Sequence, residues 1–155
     1  SPWGTNQVLE IGKTDSGEDI CRKTITVFPN NMLSLQRHQG REELWEVESG
    51  VLTVISNGER FEVPAGESII LPKGSVHCMN NVGDDDVIVI ETQTGKCREL
   101  DNVRLADFGN ANSKARPTYP ITTEVEYNSV ILYREIQAEI IAKPSYQREL
   151  KKLEN

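Results

Sequence analysis

From Ile20 to Gln93 the chain is a succession of short apolar and β-branched runs, each stopped by Gly, Pro or Asn. This spacing limits the fold more than any other feature of the sequence. Ile20 to Phe28 alternates and ends at Pro29-Asn30-Asn31, where Asn tolerates a left-handed backbone. Met32 to His38 and Leu44 to Glu48 read as the next strands, with the polar Gln39-Gly40-Arg41 stretch between them able to turn the chain into a hairpin. Val51 to Ile55 and Glu59 to Val63 flank Ser56-Asn57-Gly58, and Asn-Gly is a strong hairpin signal. Ser68 to Leu71, a strand through His77, and Val87 to Gln93 complete the series. Short strands at such even spacing predict an all-β fold, either an antiparallel barrel or a double-sheet jelly roll.

The two ends read differently. Pro2-Trp3-Gly4 precedes a short apolar patch, Val8 to Ile11, and Asp15-Ser16-Gly17 marks a turn. Cys97 to Gly109 is irregular and polar, and Ala111 to Tyr119 reads as an extended connector. Asn128 is the expected cap of a helix from Ser129 to Ala142, with Leu132, Tyr133, Ile136 and Ile140 on one stripe; Val130 to Tyr133 would also suit a strand. Lys143-Pro144 interrupts the helix before a second, shorter one carrying Tyr146, Leu150 and Leu153. The expected organisation is a barrel over residues 1–109 and a C-terminal, helical extension over residues 110–155. Leaving its apolar stripe in water would cost about 25 cal/mol per Å². The extension is therefore expected to pack on its own barrel or on a partner subunit, giving a homodimer.

At 155 residues the chain is long enough for one domain with a real core. Its formal net charge of −7 argues against nucleic acid or an anionic membrane as the general partner. It leaves room for an anionic small molecule where Lys and Arg are focused locally. Cys21, Cys78 and Cys97 are an odd number without metal-type spacing, so reduced thiols and a cytoplasmic location are expected. There is no apolar run of membrane-spanning length and no signal-peptide pattern.

Chemistry concentrates in the stretch Gln36 to Gly50. Gln36 and His38 are two apart, so on a strand they point the same way. A turn at Gln39-Gly40-Arg41 would bring the Glu43 carboxylate beside them. An amide oxygen, an imidazole and a carboxylate form a mixed N/O site for a divalent metal. His77 offers a fourth ligand, and His38 and His77 are the only histidines in the protein.

These residues carry a resemblance to the cupin superfamily, whose fold is a double-stranded β-helix. The first cupin signature runs here through Pro29-Asn30, Gln36, His38, Glu43 and Gly50, with Gln36 where most cupins have His and Asn30 in place of Gly. The second, G-x5-P-x-G-x2-H-x3-N, is matched in full by Gly66, Pro72, Gly74, His77 and Asn81. Within cupins the chain is similar to type II mannose-6-phosphate isomerase, a domain that also forms the C-terminal part of bifunctional mannose-1-phosphate guanylyltransferases. The matches are Pro2-Trp3-Gly4; then Ser34, Leu35, Gln36, His38, Arg41, Glu43 and Trp45; then His77, Asn81 and Gly83; then Ile90, Glu91, Gln93 and Gly95. The family's closing D-I-x-R-x-x-D-x-Y-G-R aligns with Asp101, Val103-Arg104, Asp107 and Phe108-Gly109, but Asn110 stands where the final Arg would be.

The resemblance implies a metal-dependent aldose–ketose isomerase interconverting mannose 6-phosphate and fructose 6-phosphate, or a related sugar phosphate. Gln36, His38, Glu43 and His77 would hold the ion: zinc first, with manganese, cobalt, nickel or iron as alternatives. Such an ion polarises a carbonyl and stabilises the developing oxyanion. Glu91 is the candidate general base. Arg41, Lys23 and Arg104 are candidate phosphate contacts, Arg41 also counting as catalytic, and Gln93 would join them in substrate binding. The bland readings are a structural charge pair for Glu91, a turn-holding bond from Arg41 to Glu42 or Glu43, and packing roles for Trp3 and Trp45. Two other functions stay open: a non-catalytic metal- and sugar-binding cupin, favoured by Asn110, and a metal-dependent small-molecule oxygenase.

Overall fold

The computed structural model of the chain describes residues 2–97, 102–108 and 117–154. In chain order the strands are β1 (Gly4–Lys13), β2 (Asp19–Val27), β3 (Asn31–Met32), β4 (Leu35–Arg37), β5 (Arg41–Ser49) and β6 (Val51–Ser56). They continue as β7 (Glu59–Pro64), β8 (Ser68–Leu71), β9 (Val76–Asn81), β10 (Val87–Gly95) and β11 (Val103–Ala106), followed by α1 (Glu124–Ile141) and α2 (Pro144–Glu154). Sheet A has the order β1-β2-β10-β5-β8 and sheet B the order β11-β4-β9-β6-β7, with β3 added beside β9. The pairings are antiparallel, and the two sheets face each other as a cupin double-stranded β-helix.

Side-chain parity builds the interior. On β5 Arg41, Glu43, Trp45 and Val47 are buried, while Glu42 and Glu46 between them are exposed. That alternation suits a sheet with one face on the core. On β6 Leu52, Thr53, Val54 and Ile55 are all buried, as are all six residues of β9. Both faces of these strands are covered, because α1 packs on the outside of sheet B. Ile25, Val27, Trp45, Val47, Leu52, Val54, Met79 and Val89 fill the space between the sheets. Leu35, Ile55, Val76, Leu105, Tyr133, Ile136 and Ile140 form a second core between sheet B and α1.

The turns follow local chemistry. Asn30, Asn57 and Gly58 adopt φ of 58°, 48° and 79°, the left-handed values that Asn and Gly tolerate. Gly95 matters for another reason: a Cβ there would lie 2.4 Å from the Gly40 carbonyl oxygen. Only glycine lets β10 end against the Gln39-Gly40 connection, whose carbonyl accepts from Lys96 N at 2.7 Å.

Several expectations need correction. Met32 to His38 is not one strand: β3 and β4 are separated by Leu33-Ser34, and His38 lies just past β4. Gln39-Gly40 is not a hairpin, because β4 belongs to sheet B and β5 to sheet A; the chain crosses the barrel there. The stretch read as irregular contains β11, which is stable as an edge because it pairs with β4 and packs Leu105 into the second core. The Val8 to Ile11 patch is part of a ten-residue edge strand. Helix α1 begins five residues before the expected start, capped by Thr123 rather than Asn128. Thr123 Oγ1 accepts from Glu126 N at 3.1 Å and donates to its carboxylate at 3.0 Å, so Thr123-x-x-Glu126 closes the first turn from both sides. The boundary at residues 109–110, Asp101 and the Gly109-Asn110 departure lie outside the described residues.

The stripe on α1 behaves as expected. Tyr133, Ile136 and Ile140 are fully buried, Leu132 is half-buried against the same core, and the Tyr133 hydroxyl donates to Leu33 O at 3.0 Å. The extension thus covers its own barrel. Neither helix is long and apolar enough to cross a membrane.

Candidate functional site

Five strands and one connection aim polar side chains into one end of the barrel. Across sheet A the register places Lys23 opposite Glu91, and Glu91 opposite Trp45; the next row is Cys21, Gln93 and Glu43. Residues paired directly across strands share a face, so Lys23, Glu91, Gln93 and Glu43 point inward together. Across sheet B, Gln36 is opposite His77. His38 has the parity of Gln36 and closes the group from the crossing between the sheets. These side chains line a hollow of about 150 Å³, with Trp3, Asn6 and Ser34 also on its wall. A larger hollow of about 780 Å³ lies beneath α2, away from this cluster.

His38, Glu43 and His77 are all buried and offer ligand atoms within 4.8 Å of one another. His77 Nδ1 lies 3.1 Å from the Ser75 carbonyl and 3.2 Å from the Ser75 hydroxyl, so Ser75 holds the ring from behind. Its Nε2 faces Glu43 Oε2 at 3.0 Å. A proton on Nε2 makes that contact a hydrogen bond, and a metal ion between the two atoms would take the same lone pair and carboxylate charge. An oxygen behind the far ring nitrogen is the usual support of a metal-binding imidazole. Gln36 donates its Nε2 to Ser34 Oγ, which leaves the amide oxygen as the end available to a cation. The donor set therefore fits a divalent ion.

The electrostatics separate the two buried carboxyls. Burial raises the pKa of Glu43, but the His77 hydrogen bond and the nearby His38 and Arg41 overcome it and hold the group down at about 2. Burial and the neighbouring Glu43 charge push Glu91 up to about 8, against the pull of Lys23 and Arg41. Gln93 Nε2 ties the pair together, reaching Glu91 Oε1 at 2.7 Å and Glu43 Oε1 at 3.1 Å. Gln93 Oε1 is buried and has no donor among the described residues, so it can accept from a bound hydroxyl.

Arg41 is buried in the same cluster, with Nε 3.2 Å from Glu43 Oε1 and Nη2 2.9 Å from His38 Nε2. The bond to Glu43 is the turn-holding role open to Arg41 from sequence; the contact with His38 is added by the fold. Arg104 lies opposite Gln36 in register but is not on the wall of the hollow. Trp45 belongs to the core, with its ring edge-on to His77 at 5.5 Å, and both it and Trp3 reach the hollow. Asn6 and Ser75 are not among the sequence candidates, and Ser34 enters the sequence reading only as a family-motif match. Ser75 shares the parity of His77, a signal open to sequence reading; Asn6 required the full extent of β1.

Residues 1–107 match the model of the family described as mannose-6-phosphate isomerase C-terminal. The chain belongs to that family. Among its relatives, the mannose-1-phosphate guanylyltransferase ManC of Salmonella typhimurium is 38% identical over 102 residues, covering 66% of this chain and 20% of its own length. A mannose-1-phosphate guanylyltransferase of Escherichia coli is 36% identical over 107 residues, covering 68% of this chain and 21% of its own length. This chain thus spans about a fifth of the length of these relatives. A solved double-stranded β-helix protein from Klebsiella pneumoniae aligns with TM-score 0.56 at 19% identity, covering 67% of this chain and 84% of that one. A cupin 2 conserved barrel domain protein from Salinispora arenicola aligns with TM-score 0.50 at 22% identity, covering 58% and 74%. Both are likenesses of fold. The family match takes in Gln36, His38, Glu43, His77 and Glu91, and stops before the two helices.

Proposed function

We propose that this member of the mannose-6-phosphate isomerase C-terminal family is a metal-dependent sugar-phosphate isomerase acting on mannose 6-phosphate and fructose 6-phosphate. The observation that carries the reading is one hollow lined by both the buried His38–Glu43–His77 cluster and a separate buried carboxyl, Glu91, raised to about 8. Gln36, His38, Glu43 and His77 would hold a divalent ion, zinc by preference for imidazole and oxygen donors. When bound, the ion would stabilise negative charge on the sugar oxygens.

The remaining steps belong to the chain. Glu91, as its carboxylate, takes the proton from C2 of the open-chain aldose and returns it to C1 of the enediolate, while a proton passes between the two oxygens to give the ketose. A carboxylate whose pKa sits near the working pH is the stronger base for that transfer. Lys23, beside Glu91 in the hollow, pairs with the sugar phosphate, and Arg41 joins it once it turns from His38 and Glu43. Gln93 Oε1 accepts a substrate hydroxyl. Trp3, Asn6 and Ser34 shape the entrance.

The test is exchange of the C2 proton of mannose 6-phosphate in deuterated water, followed by NMR with the zinc-loaded protein. Exchange together with fructose 6-phosphate formation is expected. No exchange with this substrate or other hexose phosphates at full zinc occupancy would remove the isomerase reading. A metal- and sugar-binding cupin without turnover would then be favoured, and the present engagement of Arg41 with His38 and Glu43 supports that second reading.

Assembly as a homodimer belongs to the same proposal. With α1 on sheet B of its own barrel, the exposed apolar residues of the sheet A edges, Val8, Leu9 and Ile11 on β1 and Ile70 on β8, are the surface a second copy would cover. Sedimentation velocity is expected to give twice the chain mass, falling to one when Ile11 and Leu9 are changed to Lys; a wild-type monomer at tens of micromolar would end the idea. The free thiols of Cys21, Cys78 and Cys97 suit a reducing, cytoplasmic setting, which fractionation of the native host would check.

A further inference from the structure

We propose that Arg41 is a tethered counter-cation that occupies part of the metal site, so that loading the ion requires its guanidinium to leave His38 and Glu43. The inference rests on the metal-binding reading of the cluster and goes beyond it in assigning Arg41 a role in ion affinity. A guanidinium keeps its charge and can only donate. Its Nη2, 2.9 Å from His38 Nε2, therefore takes the lone pair of that nitrogen, and one lone pair cannot serve an N–H donor and a metal ion together. Its Nε lies 3.2 Å from Glu43 Oε1, on the same carboxylate whose other oxygen faces His77. Arg41 is only 5% exposed, so water does not screen these contacts, and they add positive charge beside the buried Glu43 carboxylate.

Position makes the exchange possible. Arg41 opens β5 directly after the Gln39-Gly40 crossing and points into the hollow that also holds Lys23. Once displaced, its fork stays in that hollow, where the anionic end of a substrate is the natural partner. Arg41 thus acts as a positioning residue with two settings. In one it closes the ligand set without an ion; in the other it faces an anion beside a loaded ion.

The experiment is zinc titration against a competing chelator for wild type, Arg41→Ala and Arg41→Lys, with thermal melts in EDTA and in saturating zinc. Removing a competitor held by charge-assisted bonds should tighten zinc binding by about tenfold to a hundredfold in Arg41→Ala. Arg41→Lys keeps the charge but not the fork and should tighten it by a smaller factor. Arg41→Ala should melt below wild type in EDTA, with the gap closing in zinc. Unchanged or weaker zinc binding by Arg41→Ala would overturn the proposal. So would wild-type affinity in Arg41→Lys beside a tighter Arg41→Ala, which would mean plain charge repulsion. An equal melting gap with and without zinc would mean a structural role only. If Arg41→Ala does not fold, Arg41→Lys alone decides, by binding zinc tighter than wild type or not. Wild type that binds no zinc is a separate result: the metal reading fails, and the proposal with it.

Discussion

Changing Glu91 to Gln is expected to lower turnover of mannose 6-phosphate by about two to four orders of magnitude while leaving bound zinc unchanged. The amide keeps the shape and stays inside the hollow, but it cannot take a proton. Glu91 is not one of the four candidate ligands, so the ion keeps its donors. Total metal after gel filtration and the rate of C2 exchange measure the two halves separately. Zinc lost in step with activity would make Glu91 a ligand or a ligand support instead. The same variant has a signature without substrate. In the metal-free protein Glu91 titrates at about 8 when folded, against an ordinary value of 4.5. Between those values the folded state keeps a proton that the unfolded state has released, so stability is fully present below about 4.5 and is lost as pH rises through about 8. In EDTA the wild-type melting temperature should therefore fall from pH 5 to pH 8, and Glu91→Gln should flatten that fall. An equal slope in both proteins would mean that Glu91 is not the group responsible.

Replacing His77 with Ala is expected to reduce bound zinc far below one ion per chain. Losing a partner that merely supports a ligand typically costs 10- to 100-fold in metal affinity, and His77 is placed to be a ligand itself. The change removes the imidazole whose Nε2 stands 3.0 Å from Glu43 Oε2 and leaves that carboxylate with Arg41 and Gln93. Breaking one side of a buried charged group is strongly destabilising, of order 3–5 kcal/mol, so the variant needs a melt to show that it is folded. Metal analysis after gel filtration reads the outcome. A folded His77→Ala protein that retains a full ion would mean that the ligand set lies elsewhere.

The sequence already held the parity of the site. Gln36 and His38 two apart, Arg41, Glu43 and Trp45 alternating, and Glu91 with Gln93 all point inward as that spacing requires. Glu43 joins the cluster without the local hairpin expected from sequence, because the chain crosses from sheet B to sheet A at Gln39-Gly40. Helix α1 was legible from its stripe, and its true start was written in Thr123-x-x-Glu126, but Asn128 was the more familiar cap. β11 could not be read, because four residues without flanking turn signals are extended only when a neighbour pairs with them.

What the sequence determined alone was therefore the inventory and the facing of the residues: alternation is a property of the local backbone, set wherever a strand forms. The tertiary structure decided which facings meet. That Lys23 stands opposite Glu91, that Gln93 bridges Glu91 and Glu43, and that Arg41 reaches His38 all depend on register between distant strands and on which sheet each strand joins. Register is set by how the two cores fill, with sheet B closed by α1 on one side and by sheet A on the other. No stretch of chain carries that information by itself, because the energy that selects it is shared across contacts far apart in sequence.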